Sequence, residues 1–213
     1  ADINCFLVSS AKMIKKDAGI SLKIFETLRT VFGFRNFRPN QESIVTNILD
    51  GHDVFAVMPT GGGKSICFQL PAMMMDGFAL VISPLISLMN DQVRSLRSNG
   101  ITAGAMHSGS SAEEQYQIQQ QIAEDKLKVL YVSPERALTP RFMDFIAGQP
   151  LSLIAIDEAH CVSQWGHDFR PDYRYVSRFI KEFSGDAPAP VLCLTATAKP
   201  EVVRDIRDHF QTR

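Results

Sequence analysis

Six short apolar runs, at 54–58, 79–83, 102–106, 128–132, 153–156 and 191–194, recur along the chain with amphipathic stretches between them, and this alternation restricts the fold more than any other feature. Most of the runs are continuous rather than alternating, the pattern of a strand covered on both faces. The intervening stretches, 64–75, 85–99, 111–124, 141–147, 173–182 and 199–210, carry helical spacing, and Gly100 is a good stop after Asn99. Strand–helix alternation of this kind predicts an α/β domain, a mainly parallel sheet with helices on both faces. Ligands of such sheets bind beyond the carboxyl ends of the strands, so chemistry is expected just after residues 58, 83, 156 and 194. Two helices precede the first strand: one opened by Ser21, with apolar positions Leu22, Phe25, Leu28 and Phe32 and a stop at Gly33, and one over 40–49 ended by Asp50-Gly51. Residues 1–20, with a small basic cluster at Lys12, Lys15 and Lys16, read as an N-terminal extension to a domain spanning 21–213.

Bulk properties remove several classes of function. The net charge of −1 provides no overall basic field, so any nucleic-acid contact must come from local Arg, Lys and aromatic placement. The four cysteines, Cys5, Cys67, Cys161 and Cys193, form no C-x-x-C pair and suggest neither a zinc site nor a disulfide framework. No apolar run approaches the roughly 20 residues that span a bilayer. The expectation is a soluble intracellular protein without a membrane partner.

The first chemical motif follows the run 54–58: Pro59-Thr60-Gly61-Gly62-Gly63-Lys64-Ser65, then a helix. The glycines allow backbone N–H groups to converge, and the helix start adds unpaired N–H groups and a positive dipole end. Thr60, Gly61, Gly62 and Gly63 would cradle a nucleoside triphosphate, Lys64 would reach its β- and γ-phosphates, and the Ser65 hydroxyl would ligand Mg²⁺. The strict P-loop pattern begins with Gly, where this chain has Met58. The second motif ends the run 153–156: Asp157-Glu158-Ala159-His160. Asp157 would hold Mg²⁺ through water, and Glu158 would orient and deprotonate the attacking water. Capping of the following turn by these carboxylates is compatible with that role.

Together these residues resemble the motifs of superfamily 2 helicases. Asp157-Glu158-Ala159-His160 resembles their D-E-x-H box, Leu194-Thr195-Ala196-Thr197-Ala198 their motif III, and Ser83-Pro84-Leu85-Ile86-Ser87-Leu88 with Asp91-Gln92 their motif Ia. The stretch 163–171, containing Trp165, His167, Phe169 and Arg170, looks like the aromatic-rich loop of RecQ helicases, and Phe34-Arg35-Asn36-Phe37-Arg38-Pro39-Asn40-Gln41 looks like their adenine-recognition motif. The resemblance runs from about Phe25 to the C-terminus with the motifs in order. It implies a three-layer RecA-like P-loop domain, the first of the two found in such helicases.

The resemblance also implies roles. Gln41 would read the adenine edge, since an amide offers one donor and one acceptor, with Phe34 and Arg38 stacking on the base. Phe37 reads as core, whereas Phe34 fits core packing or stacking equally. Trp165 and Phe169 would stack on unpaired bases, at about 1–3 kcal/mol per base, and a buried plug beneath the acidic box is the competing reading for this loop. Arg170 would meet a phosphate or bridge toward the ATP site. His160, Thr195 and Thr197 would couple the acidic box to the DNA side, although the threonines also suit capping of the helix at Lys199. Ser83 would grip a DNA phosphate at a helix N-terminus. Ser133-Pro134-Glu135-Arg136 could do the same or simply open a helix.

By the same resemblance, the activity is ATP-dependent 3′–5′ DNA unwinding, as used in repair and recombination, with ATP and Mg²⁺ as cofactors. The implied partners are single-stranded DNA, duplex junctions and a second RecA-like domain of the parent chain. That domain, a zinc module and a winged helix are expected to lie outside this stretch, leaving it nearly inactive alone. The compartment is the cytoplasm with its nucleoid in a bacterium, or the nucleus in a eukaryote. Alternatives are an RNA helicase domain of the same superfamily, against which the aromatic loop argues, and a catalytically dead interaction module, against which Lys64, Ser65, Asp157 and Glu158 argue.

Overall fold

The computed structural model describes residues 18–165, 168–182, 189–196 and 199–210. All six apolar runs are strands: β1 (Val54–Val57), β2 (Phe78–Ile82), β3 (Ala103–Met106), β4 (Val129–Val132), β5 (Leu151–Ile156) and β6 (Val191–Thr195). They form one sheet in the order β1-β6-β5-β2-β4-β3, and every pairing is parallel. The expected α/β architecture is therefore the observed one. Its continuous apolar strands have a simple cause: β1, β2, β4 and β6 are buried at every position. Successive residues of β2 feed opposite cores. Phe78, Leu80 and Ile82 pack with Ile118, Phe142, Phe179 and Ile206, whereas Ala79 and Val81 pack with Ile44, Phe68 and Met89.

Those partners define the outer layers. Helices α2 (Gln41–Leu49), α3 (Ile66–Met74) and α4 (Ile86–Ser98) cover one face. Helices α5 (Ala112–Ala123), α7 (Pro140–Ile146), α8 (Pro171–Glu182) and α9 (Pro200–Phe210) cover the other. The short α6 (Pro134–Ala137) opens with Ser133 as its cap, so Ser-Pro there is a helix opening. Helix α5 begins with a complete capping box between Ser111 and Glu114. Among the described residues no helix is long and apolar enough to cross a membrane. Cys67, Cys161 and Cys193 are buried as thiols, with burial holding Cys161 up to about 12; Cys5 lies outside the described residues.

The first helix needs a correction. α1 spans Ala18–Thr30, so Ser21 is inside it and the boundary drawn at residue 20 cuts it. Its buried side chains are Ile24 and Leu28, one turn apart, which pack on Val45, Ile66 and Leu70. Leu22 is 71% exposed and Phe25 is only edge-packed on Phe37, ring centroids 5.3 Å apart. The helix is rotated so that the Ile24/Leu28 pair faces α3, and Phe37, read as core, is packed against that cluster.

The carboxyl edge of the sheet lines up the loops in strand order. The parallel ladder continues past the strands: Met58 N–H donates to the Thr195 carbonyl at 2.9 Å, Asp157 N–H to Ile82 at 2.9 Å and Ser83 N–H to Val132 at 3.1 Å. At the opposite edge, Gly77 enters β2 with φ +79°, and a Cβ there would lie 1.9 Å from the Pro150 carbonyl that accepts the Phe78 N–H. Gly77→Ala is therefore expected to destabilise the fold by about 2–4 kcal/mol in denaturant unfolding, combining left-handed backbone cost with overpacking. A loss below about 1 kcal/mol would show that the β2–β5 junction tolerates a side chain.

Candidate active site

The glycine-rich loop hangs from β1 and turns tightly. Gly62 N–H donates to the Pro59 carbonyl at 2.9 Å, while Gly61 and Gly63 have φ +75° and +78°. The departure at Met58 has a packing reason: its side chain is 3% exposed and its sulfur lies 3.7 Å from Cys67 Sγ, so the position serves the core. Gln41 Nε2 donates to the Gly63 carbonyl at 2.9 Å and its Oε1 accepts the Arg38 N–H at 2.8 Å. The Arg38 guanidinium donates to the Gly61 carbonyl. The glycine loop and the 34–41 segment are thus stapled together, and at Gly63 a Cβ would meet Gln41 Nε2 at 2.5 Å. Phe34 is 50% exposed, which settles it as a surface ring rather than core. It lines a cleft of about 260 Å³ with Arg38, Gln41, Gly63, Ser65 and Gln69.

Across the sheet edge, Lys64 Nζ lies 2.9 Å from Glu158 Oε1, with both side chains mostly buried. This contact joins the ends of β1 and β5 over a 94-residue separation. Glu158 sits in the left-handed region, φ 49° and ψ 45°, which is uncommon for a residue with a side chain. Its N–H donates to Asp157 Oδ1 at 3.0 Å. Burial, and then the Glu158 charge, push the Asp157 carboxyl up to about 6, against opposing pulls from Lys64, the Glu158 N–H and the Ser83 hydroxyl. Ser83 is buried and its hydroxyl faces Asp157 Oδ2 at 3.5 Å, so the structure brings it to the acidic pair.

His160 bridges the acidic pair to β6. Its Nδ1 lies 3.2 Å from Thr195 Oγ1 and 3.3 Å from Glu158 Oε2. A 3-10 turn, Ala159–Val162, carries it. In the aromatic loop Trp165 is 70% exposed, which excludes the buried plug for that ring. Phe169 is half-buried under the Arg174 guanidinium, 5.3 Å from its centroid, and Arg170 Nη1 donates to the Pro84 carbonyl at 3.3 Å. Thr60 is exposed and Thr195 buried, while His167 and Thr197 lie outside the described residues. Arg136 is held by Gln115 Oε1 at 2.8 Å.

Two features escape sequence reading. Tyr173, fully buried on α8, donates its hydroxyl to the Asp157 carbonyl at 2.8 Å and so clamps the peptide that leads into Glu158. Gln69, 6% exposed on α3, donates to Gln92 Oε1 at 2.9 Å and to the Tyr131 hydroxyl at 3.1 Å, tying the phosphate-loop helix to α4 and β4. Neither stands out from ordinary amphipathic patterning.

A glycine loop and lysine facing an acidic strand end on one parallel sheet define a P-loop nucleotide-binding domain of RecA-like form. Residues 38–206 match the DEAD/DEAH box helicase family, and the chain belongs to it. It is 45% identical over 203 residues to the ATP-dependent DNA helicase RecQ of Haemophilus influenzae, covering 95% of this chain and 32% of that protein. Identity is 44% to the probable ATP-dependent DNA helicase RecS of Bacillus subtilis, covering 86% of this chain and 36% of that one. It is 42% to the RecQ-like DNA helicase blm-1 of Caenorhabditis elegans, covering 91% and 20%. The chain thus spans about a third or less of the length of most of these relatives. Among solved structures, a hypothetical ATP-dependent RNA helicase from Sulfolobus tokodaii matches with TM-score 0.65 at 21% identity, over 88% of this chain and 54% of that one. Mycobacterium smegmatis helicase Lhr, bound to ssDNA and AMP-PNP, matches with TM-score 0.65 at 23% identity, over 88% and 26%. These two likenesses establish the fold.

The raised Asp157 pKa has a stability consequence. An acid whose pKa is higher folded than unfolded binds protons more tightly when folded, so its stabilisation is present at low pH and is lost as pH rises from about 4 to about 6. Asp157→Asn is expected to stabilise the ligand-free chain by about 1–3 kcal/mol near pH 7.5, with the gain shrinking toward zero near pH 4 in thermal melts. An equal gain at both pH values would show that charge is not its cause.

Proposed function

We propose that this chain is the ATP-binding motor unit of a RecQ-like DNA helicase, coupling ATP hydrolysis to movement along single-stranded DNA and opening of duplex junctions in the parent protein. The observation that carries the reading is the Lys64–Glu158 ion pair, which sets the phosphate lysine and the candidate base on one another across the sheet edge. ATP would lie along the loop, with its tail on the amides around Gly62, the γ-phosphate recruiting Lys64 and the adenine in the cleft beside Phe34, Arg38 and Gln41. Loss of Lys64 to the phosphate would leave Glu158 to accept a proton from water, with His160 on its other oxygen.

Mg²⁺ suits the donors present. A serine hydroxyl and a buried carboxylate are hard oxygen ligands, and one or two such groups plus phosphates and water complete a Mg²⁺ shell. Ser65 and Asp157 would hold the ion, which when bound neutralises charge on the phosphates. The rest of the proposed coupling runs through protein contacts: Glu158 to His160 to Thr195, and Arg170 to the Pro84 carbonyl in the Ser83–Leu88 segment. DNA would meet the Trp165–Arg170 side of these contacts. The 3′–5′ direction and the involvement of a second RecA-like domain rest on the RecQ resemblance.

Two measurements test this. In the parent helicase, Glu158→Gln should lower DNA-stimulated hydrolysis by at least about 100-fold while ATP binding stays as tight or tightens, because Lys64 loses its internal partner. Surviving hydrolysis would remove Glu158 as the base. The 213-residue chain by itself should bind ATP–Mg²⁺ yet turn over roughly 10³–10⁵-fold more slowly than the parent, since by the RecQ resemblance the arginines that stabilise charge on the transferring phosphoryl group come from a second RecA-like domain. Helicase-like turnover by the chain alone, or equal preference for RNA over single-stranded DNA, would overturn the reading.

A further inference from the structure

Trp165 stands 70% exposed at the end of a short turn whose backbone is fixed by one buried hydroxyl. Ser163 is 0% exposed. Its Oγ accepts the Trp165 N–H at 3.2 Å and donates to Asp205 Oδ2 at 2.6 Å. The second contact is in the short range of charge-assisted O–H···O⁻ bonds, stronger than a neutral pair. Asp205 is presented by α9, which is anchored in the core by Val202, Ile206 and Phe210. Ser163 N–H also donates to the His160 carbonyl at 3.0 Å, so the same residue closes the turn that carries His160. An exposed aromatic side chain has thereby a rigid mount: docked helix, carboxylate, hydroxyl, backbone.

Resting on the reading of Trp165 as a base-stacking residue, we infer that Asp205 is a positioning residue for Trp165, holding the indole through Ser163 in the place where an unpaired base stacks. Asp205 touches no base itself. Electrostatics alone assigns it the opposite effect, because removing a negative charge strengthens binding to a polyanion. A weakening on its removal therefore cannot come from its charge, and nucleotide affinity with the melting midpoint separates lost positioning from lost stability. The anchor also ties the DNA-facing turn to the helix that leads out of β6, so movement of α9 against the sheet would be felt at the indole.

Trp165 is the chain's single tryptophan, so its emission reports this site alone. The experiment uses the 213-residue chain, titrated with oligo(dT) and followed by tryptophan quenching, beside affinity for a fluorescent ATP analogue and the melting midpoint. Asp205→Ala and Ser163→Ala should each weaken the oligo(dT) midpoint by about five- to tenfold, and the double variant should be no weaker than either, since both break one link. Asp205→Asn keeps an acceptor oxygen and should stay within about twofold of the parent sequence. Nucleotide affinity should be unchanged in all four. Without DNA, Trp165 anisotropy should drop in the two alanine variants and be retained in Asp205→Asn.

An unchanged midpoint and anisotropy in Asp205→Ala would overturn the inference. So would a fall in nucleotide affinity and melting midpoint shared by Asp205→Ala and Asp205→Asn, which would mark a plain structural staple. If Asp205→Ala fails to fold, Ser163→Ala decides. Failure of the unmodified chain to respond to oligo(dT) would instead sink the stacking reading, and the DNA-free anisotropy would still decide the anchor.

Discussion

Two adjacent carboxylates at the end of a buried strand repel one another, and the edge of this sheet is organised around relieving that repulsion. Unit charges about 4 Å apart interact by roughly 4 kcal/mol at the effective dielectric of a protein surface region. Asp157 and Glu158 are separated by giving each its own surroundings. The left-handed turn at Glu158 sends its carboxylate to Lys64 and His160, while Asp157 stays with the Ser83 hydroxyl and the Glu158 N–H. Tyr173 holds the peptide between them from beneath. The arrangement leaves Asp157 poorly stabilised as an anion, which is a condition a cation relieves.

That condition gives the site its direction. In the proposed function Lys64 could not serve Glu158 and a phosphate equally, so a triphosphate entering at the glycine loop would change the charge seen at the acidic pair. From there His160 touches Thr195 on β6, and the loop beyond it reaches back through Arg170 to Pro84. The Lys64–Glu158, His160–Thr195 and Arg170–Pro84 links each join segments far apart in sequence, and each has one partner at or just beyond the carboxyl end of a strand. The parallel order β1-β6-β5-β2 brings those ends together.

Much of this was legible in the residues. The strands announced themselves because both their faces are buried, and Lys64 and Glu158 could be paired because each follows such a strand. In and just after the first helix Leu28 and Phe32 pack inward as their spacing predicts, but Leu22 and Phe25 fit an apolar stripe as well as Ile24 does, and only the packing on α3 selects between them. Met58 looked like a flaw in a motif until the core beneath it was visible. Tyr173 and Asp205 were hidden for another reason. Each acts through one atom on a partner 16 or 42 positions away, from a helix whose periodicity already accounts for a tyrosine or an aspartate there. Whether Phe34 belonged inside or outside was undecidable by type and became plain from exposure.

The side-chain amide of Gln41 is already in use. Its oxygen holds the Arg38 N–H and its nitrogen holds the Gly63 carbonyl. Each end keeps one further site, a second N–H on the nitrogen and a second lone pair on the oxygen. A purine edge would therefore dock as an added partner, on an amide whose plane the two existing bonds already fix. The strap that holds the glycine turn would then also aim the group that meets the base. Choice of base and shape of the phosphate seat would be settled by the same side chain, before any nucleotide arrives.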